Sequence, residues 1–275
     1  MKFGLKLWSK NKDLIGEACK LINENFFHYV ELFYVPGTEI KPFLDHNIPY
    51  IIHNSTERFG VNIGDKTKKE FNLKIINTCI NWANKLNAKY IIQHADYGSF
   101  EDAKNLLKEV HDERIVIENM PNAGINGEKM IGYEPEQLKE LMDIGDFGFC
   151  LDFGHAAKAA VSMGKNYRGH INEFLKLKPD MFHISDCDLK NGIDEHLNIG
   201  EGDIDFKFLK ECILSENSEN VTLETPRKNL NSLDEDLKNL EKLKELFVMR
   251  NKFIQSRFFL SAFIIKIPAF IQTLV

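Results

Sequence analysis

The chain lacks the spacings that announce several common functions. Its five cysteines, Cys19, Cys79, Cys150, Cys187 and Cys212, include no C-x-x-C pair. An odd, scattered set reads as reduced thiols in a cytoplasmic protein, not as a disulfide framework. No G-x-G-x-x-G follows the first strand-like stretch, so the usual mark of a dinucleotide-binding sheet is missing. Nor is there a basic excess: the formal net charge is −6 over 275 residues. The footprint of a nucleic-acid partner is normally basic, so any grip on phosphate must be local. The N-terminal MKFGLKLWSKNKD has too short an apolar run for a secretory signal.

What the chain does have is alternation. Short strands are expected at residues 2–8, 29–35, 49–53, 89–94, 114–118, 146–152, 181–185 and 220–224. Helical spacing is expected at 13–25, 65–86, 100–111, 134–143, 168–177, 204–214 and 233–247. Runs such as Tyr50-Ile51-Ile52 and Ile115-Val116-Ile117 are what parallel strands buried on both faces look like. Eight such units in about 247 residues favour an α/β fold of the (β/α)8 TIM-barrel type over an open doubly wound sheet. The barrel is expected to occupy 1–247. An apolar tail, 248–275, containing RFFLSAFIIKIPAFIQTLV, is expected outside it. That run falls just short of the about 20 residues a spanning helix needs, so contact with a partner or a membrane surface is the expectation.

The polar residues that end the strands carry the chemistry. His53, His94, Glu118, Asp152, His183 and Glu224 close strands three to eight. His155 stands three residues past Asp152, and Asp194 and His196 lie in the loop after strand seven, ahead of Gly200-Glu201-Gly202. Singly, each has an ordinary explanation: a hydrogen-bonded core histidine, a rim charge, a solvated loop. In a barrel, however, these ends meet at the C-terminal face, where barrel active sites lie. Carboxylates brought that close repel unless a cation joins them, and imidazole with carboxylate suits zinc.

The motifs IIHNS, IIQHA, VIENMPNAG, CLDFGHA, MFHISD, DEHLNIGEGDI and VTLETP resemble the endonuclease IV family of abasic-site nucleases, in the xylose-isomerase-like TIM-barrel superfamily. The resemblance runs from about residue 49 to about 226. It implies a centre of two or three zinc ions, with manganese the other candidate. It places His53 and His94 on the first ion and Glu118 between the first and second. Asp152, His183 and Glu224 complete the second, and His155, Asp194 and His196 serve the third. The implied activity is hydrolysis of DNA at an abasic site by activated water, with Glu118 and Glu224 as the catalytic carboxylates. The family's DNA-reading loops have no counterpart here: the first strand runs into Lys6-Leu7-Trp8-Ser9-Lys10, and Tyr34–Glu39 lacks basic residues. Candidate phosphate contacts near the rim are Lys10, Lys12, Lys158, Lys165, Arg168, Arg227 and Lys228. The alternative is a sugar or sugar-phosphate isomerase or epimerase. It would hold one divalent cation on residues resembling Glu118, Asp152, His183 and Glu224, with Glu31 as a further inward glutamate.

Overall fold

Strands that are apolar on both faces must be covered on both sides, and here the sheet achieves this by closing on itself. The computed structural model describes residues 1–248. The strands are β1 Lys2–Trp8, β2 Tyr29–Phe33, β3 Tyr50–His53, β4 Ile91–His94, β5 Ile115–Glu118, β6 Gly148–Asp152, β7 Met181–Ile184 and β8 Asn220–Leu223. Each pairs in parallel with the next, and β8 pairs with β1 to close an eight-stranded barrel. The expected TIM barrel is therefore the fold.

Helices wrap the outside: α1 Ile15–Asn23, α2 Lys41–Leu44, α3 Lys69–Leu86, α4 Phe100–Leu107, α5 Pro135–Gly145, α6 Phe153–Ser162, α7 Tyr167–Leu175, α8 Phe206–Ser215 and α9 Asp234–Val248. Local chemistry sets their starts. Ser99, Asp152, Asn166 and Asp205 each accept a backbone N–H of the following turn, worth about 1 kcal/mol apiece. Two helices were not expected from the sequence. α2 spans four residues, too few to show a period. α6 is buried from Phe153 through Ala160, so it has no polar face to alternate with an apolar one. The expected apolar tail falls, but for Val248, outside the described residues. Among the described residues, no helix is long and apolar enough to cross a membrane.

Inside the barrel, the lower layer is apolar. Tyr29, Ile51, Ile92, Val116, Cys150 and Met181 pack together there. Gly4 belongs to the same level: a Cβ on it would sit 2.3 Å from the Tyr29 ring. Thr222 completes the layer through its hydroxyl, 2.9 Å from that of Tyr29.

Candidate metal centre

Side chains that share a face of a strand stand two residues apart. Two residues beyond each member of the lower layer, every strand presents a titratable residue. In strand order these are Lys6, Glu31, His53, His94, Glu118, Asp152, His183 and, just past the end of β8, Glu224. Parallel register sets Lys6 beside Glu31, His94 beside Glu118 and Asp152 beside His183. A polar ring thus lies directly on an apolar plug.

His155, Asp194 and His196 join the ring from outside the strands. Asp152 caps α6 by accepting the His155 N–H at 2.6 Å, which fixes His155 one turn into the helix. Asn119 grips the Asp152 backbone from both sides: its Nδ2 donates to the carbonyl at 2.9 Å and its Oδ1 accepts the N–H at 2.8 Å. The loop that carries Asp194 and His196 is wound around buried Asp186. That carboxylate accepts the N–H groups of Cys187, Gly200, Gly202 and Ile204. Gly202 must be glycine, because a Cβ there would lie 2.4 Å from the Cys187 carbonyl oxygen. Lys158 of α6 ties the loop's other limb. Its buried ammonium donates to the Asp188 carbonyl at 2.5 Å, the Glu195 carboxylate at 2.7 Å and the Asn191 carbonyl at 3.2 Å.

Hydrogen bonds at the backs of the imidazoles fix which nitrogens face inward. His53 Nδ1 donates to the Asn54 carbonyl at 2.7 Å, His155 Nδ1 to the Asn119 carbonyl at 2.9 Å, and His196 Nδ1 to the Glu224 carbonyl at 3.0 Å. When neutral, each of these rings turns an Nε2 lone pair inward. His183 is held the other way: Nε2 donates to Glu31 at 2.9 Å, leaving Nδ1 to face the carboxylates. Hydrogen bonds at the far nitrogen are how proteins orient and strengthen imidazole ligands.

The inward atoms form three groups. His53 Nε2 and His94 Nε2 lie 3.3 and 3.2 Å from Glu118 Oε2. His183 Nδ1 lies 3.0 Å from both Glu118 Oε1 and Glu224 Oε1, and 4.0 Å from Asp152 Oδ2. His155 Nε2 and His196 Nε2 lie 3.3 and 3.0 Å from Asp194 Oδ2 and 3.4 Å from each other. His53 Nε2, Glu118 Oε2 and Asp152 Oδ2 are buried with no hydrogen-bond partner. Buried acceptors that face one another require a cation or a proton between them. The donor sets His53–His94–Glu118, Glu118–Asp152–His183–Glu224 and Asp152–His155–His196 each bring one ligand atom per residue within 4.8 Å, so the residues fit metal ions.

Charge shows the same demand for cations. Burial would lower the pKa of His155, His183 and His196, but acidic neighbours outweigh it: carboxylates for His155 and His196, and Cys150 ahead of Glu224, Glu31 and Glu118 for His183. His155 and His183 are raised well above the ordinary value, and His196 is pushed up to about 9. His53 moves the other way. Burial and the nearby Lys6 hold it low, which keeps its inward lone pair free for a ligand bond.

The nine expected metal-ligating residues, His53, His94, Glu118, Asp152, His155, His183, Asp194, His196 and Glu224, come together at this end of the barrel. Two members of the ring did not belong to the expected ligand set. Glu31 is fully buried beneath His183. Lys6 reaches Glu224 with its ammonium and lies 3.3 Å from Glu31 Oε1. The period-two spacing from Gly4 to Lys6 is the signal that marks it. The expected rim cations need correction. Lys158 is buried in the loop clamp, and Arg227 is taken by Asp236 and by the Lys6 carbonyl. Lys165 and Arg168 pair with Glu134 and Asp205. Lys10 does line the mouth, and with Arg58 it sits over Trp8, at 4.4 and 5.0 Å from the ring. A cavity of about 870 Å³ opens above the centre; His53, His94, His155, Asp194, His196 and Glu224 are in its wall.

A family model described as "Xylose isomerase-like TIM barrel" matches residues 32–246. The curated "Probable endonuclease 4" of Mycoplasmopsis synoviae (strain 53) is 27% identical over 216 residues, which is 70% of this chain and 73% of that protein. Among solved structures, a D-tagatose 3-epimerase-like protein superposes with a TM-score of 0.71 at 21% identity, over 92% of this chain and 100% of its own. Endonuclease IV from Thermus thermophilus gives 0.69 at 21% identity, over 90% of this chain and 99% of its own. At such identities the structural likeness speaks for the barrel.

Proposed function

Because the chain belongs to the xylose isomerase-like TIM-barrel family, its activity is to be sought at the barrel mouth, and we propose that it is a metal-dependent phosphodiester hydrolase, cleaving DNA at abasic sites with two or three zinc ions. The observation that carries this reading is the third donor group. His155, Asp194 and His196 are held with their lone pairs converging by α6, by the Asp186-wound loop and by Lys158. Sets rich in imidazole suit zinc, and manganese is the second candidate. Ions held there would neutralise the phosphodiester and lower the pKa of a bound water.

The chain's own groups take distinct parts. Glu118 is buried and joins the first two donor groups. Glu224 lines the cavity and is the candidate acid–base residue. Lys10 and Arg58 at the mouth are placed to hold backbone phosphates, contacts that position a duplex without reading its sequence.

A one-metal epimerase is the second reading, and the completeness of Glu118–Asp152–His183–Glu224 favours it. Charge weighs against it. One divalent ion and Lys6 supply three positive charges for five carboxylates, Glu31, Glu118, Asp152, Asp194 and Glu224, which are at most 18% exposed. Two histidines would then have to carry protons, and the converging nitrogens of the His155–Asp194–His196 group would ligate nothing. Three ions and Lys6 give a small positive surplus, the sign a phosphodiester needs.

The test is an abasic duplex oligonucleotide at low salt with zinc or manganese, alongside metal per chain by mass spectrometry. Cleavage leaving a 3′-hydroxyl, with two or more ions per chain, is the expected result. A protein that retains one ion, cuts no phosphodiester and interconverts a ketose and its epimer or aldose would overturn the reading.

A further inference from the structure

None of the three donor groups includes Lys6, although it occupies the same level of the barrel. Its side chain is only 16% exposed and lines the cavity beside Glu224 and His53. We propose that Lys6 is a catalytic residue of this site, its ammonium binding an anionic oxygen of the substrate. Under the hydrolase reading, on which this inference rests, that is a non-bridging phosphoryl oxygen.

The argument begins with what a lysine costs here. Inside a barrel an apolar side chain is the cheaper choice, and a buried ammonium must be offset by partners. The partners of Lys6 are already shared. Glu31 Oε2 is engaged by His183 Nε2 at 2.9 Å, so Lys6 meets only the other oxygen, at 3.3 Å. Glu224 Oε1, its second partner, also lies 3.0 Å from His183 Nδ1 and belongs to the second donor group. A carboxylate that gives its charge to a metal ion balances an ammonium less well. Lysine has three donors; Glu31 and Glu224 take two, and the cavity is where the third can be used.

Lys6 is also held in place. β1 is hydrogen-bonded on one side to β2 and on the other to β8. Arg227, locked to Asp236, donates to the Lys6 carbonyl. A donor fixed before substrate arrives stabilises developing charge without reorganisation. The placement also separates Lys6 from Lys10 and Arg58. Those lie out at the mouth over Trp8, whereas Lys6 touches a residue of the proposed metal centre.

The experiment uses the full chain loaded with zinc and the variants Lys6→Met and Lys6→Arg. It measures metal per chain, the melting temperature, binding of inorganic phosphate by calorimetry, and kcat and KM on the abasic duplex. Lys6→Met should keep its ions and its melting temperature, bind phosphate about tenfold more weakly, and lose about 100-fold or more in kcat with a smaller change in KM. Lys6→Arg should recover part of the phosphate affinity. Unchanged phosphate affinity in Lys6→Met, or loss of an ion with it, overturns the inference and leaves Lys6 a counter-ion. If the wild type cuts no phosphodiester but Lys6→Met still weakens phosphate binding, the hydrolase reading fails and Lys6 stands as the anion donor. If wild type and Lys6→Met cut equally well, the hydrolase reading stands and the role given to Lys6 falls.

Discussion

Replacing Lys158 by methionine should detach one ion from the centre and leave the others. The ammonium is buried and donates to the Asp188 and Asn191 carbonyls and to Glu195, the residue between Asp194 and His196. Breaking a buried pair costs about 3–5 kcal/mol. The Glu195 side chain is 26% exposed, so water can recover part of this, and about 2–3 kcal/mol is the better figure. If that loss falls on the loop's ordered form, the affinity of the His155–Asp194–His196 group drops about 30- to 150-fold, at 1.4 kcal/mol per tenfold. The first two donor groups share no residue with the loop and should hold their ions. Titration of the loaded protein with a competing chelator, followed by mass spectrometry, would show one ion leaving early. Loss of all ions together would refute the separation of the third group from the other two. Unchanged retention would refute the role of Lys158 as the clamp.

Three further outcomes are expected. Glu118→Gln should weaken two ions at once and lower cleavage about 100- to 1000-fold, because an amide cannot join two cations through charge; metal analysis and a cleavage assay on the same folded sample check this. The logarithm of DNA affinity should fall linearly with the logarithm of salt between 50 and 200 mM, with a shallow slope of roughly one per phosphate contacted; filter binding across that range counts the contacts. Asp112→Asn tests pH linkage away from the centre. Arg114 forks onto Asp112 at 2.9 and 2.6 Å, and this bonding holds the carboxyl below its ordinary 3.8. A depressed folded pKa gives stability that is full above the ordinary value and is lost as pH falls through the lower folded value. The variant should therefore be about 1 kcal/mol less stable at pH 7, and the deficit should close in acid. Urea unfolding at the two pH values measures it, and a deficit that persists after Asp112 is protonated would count against the ion pair as its source.

The barrel was legible because its strands are short apolar runs with a polar residue at the end. Expected and observed strands agree to within two residues at each end. α6 was not legible, and the reason is physical. A helix covered on every side has nothing to alternate, and FGHAAKAAVS packs its alanines, His155 and Lys158 away from water alike. The metal-type residues stood out because histidines and carboxylates at successive strand ends are an improbable pattern. Lys158 was misplaced at the rim because its partners lie 30 to 37 positions away, a distance over which local pattern carries no information. Lys6 was hidden differently. It obeys the same two-residue rule as His183, with Gly4 in the apolar layer where Met181 stands on its own strand. It escaped because a lysine is no metal ligand, and a pattern of ligands passes over it. A ring of buried acids constrains its neighbours as strongly as its occupants: charge must balance at that level of the barrel. The strand whose inward residue is a cation is therefore where a second kind of site residue should be sought.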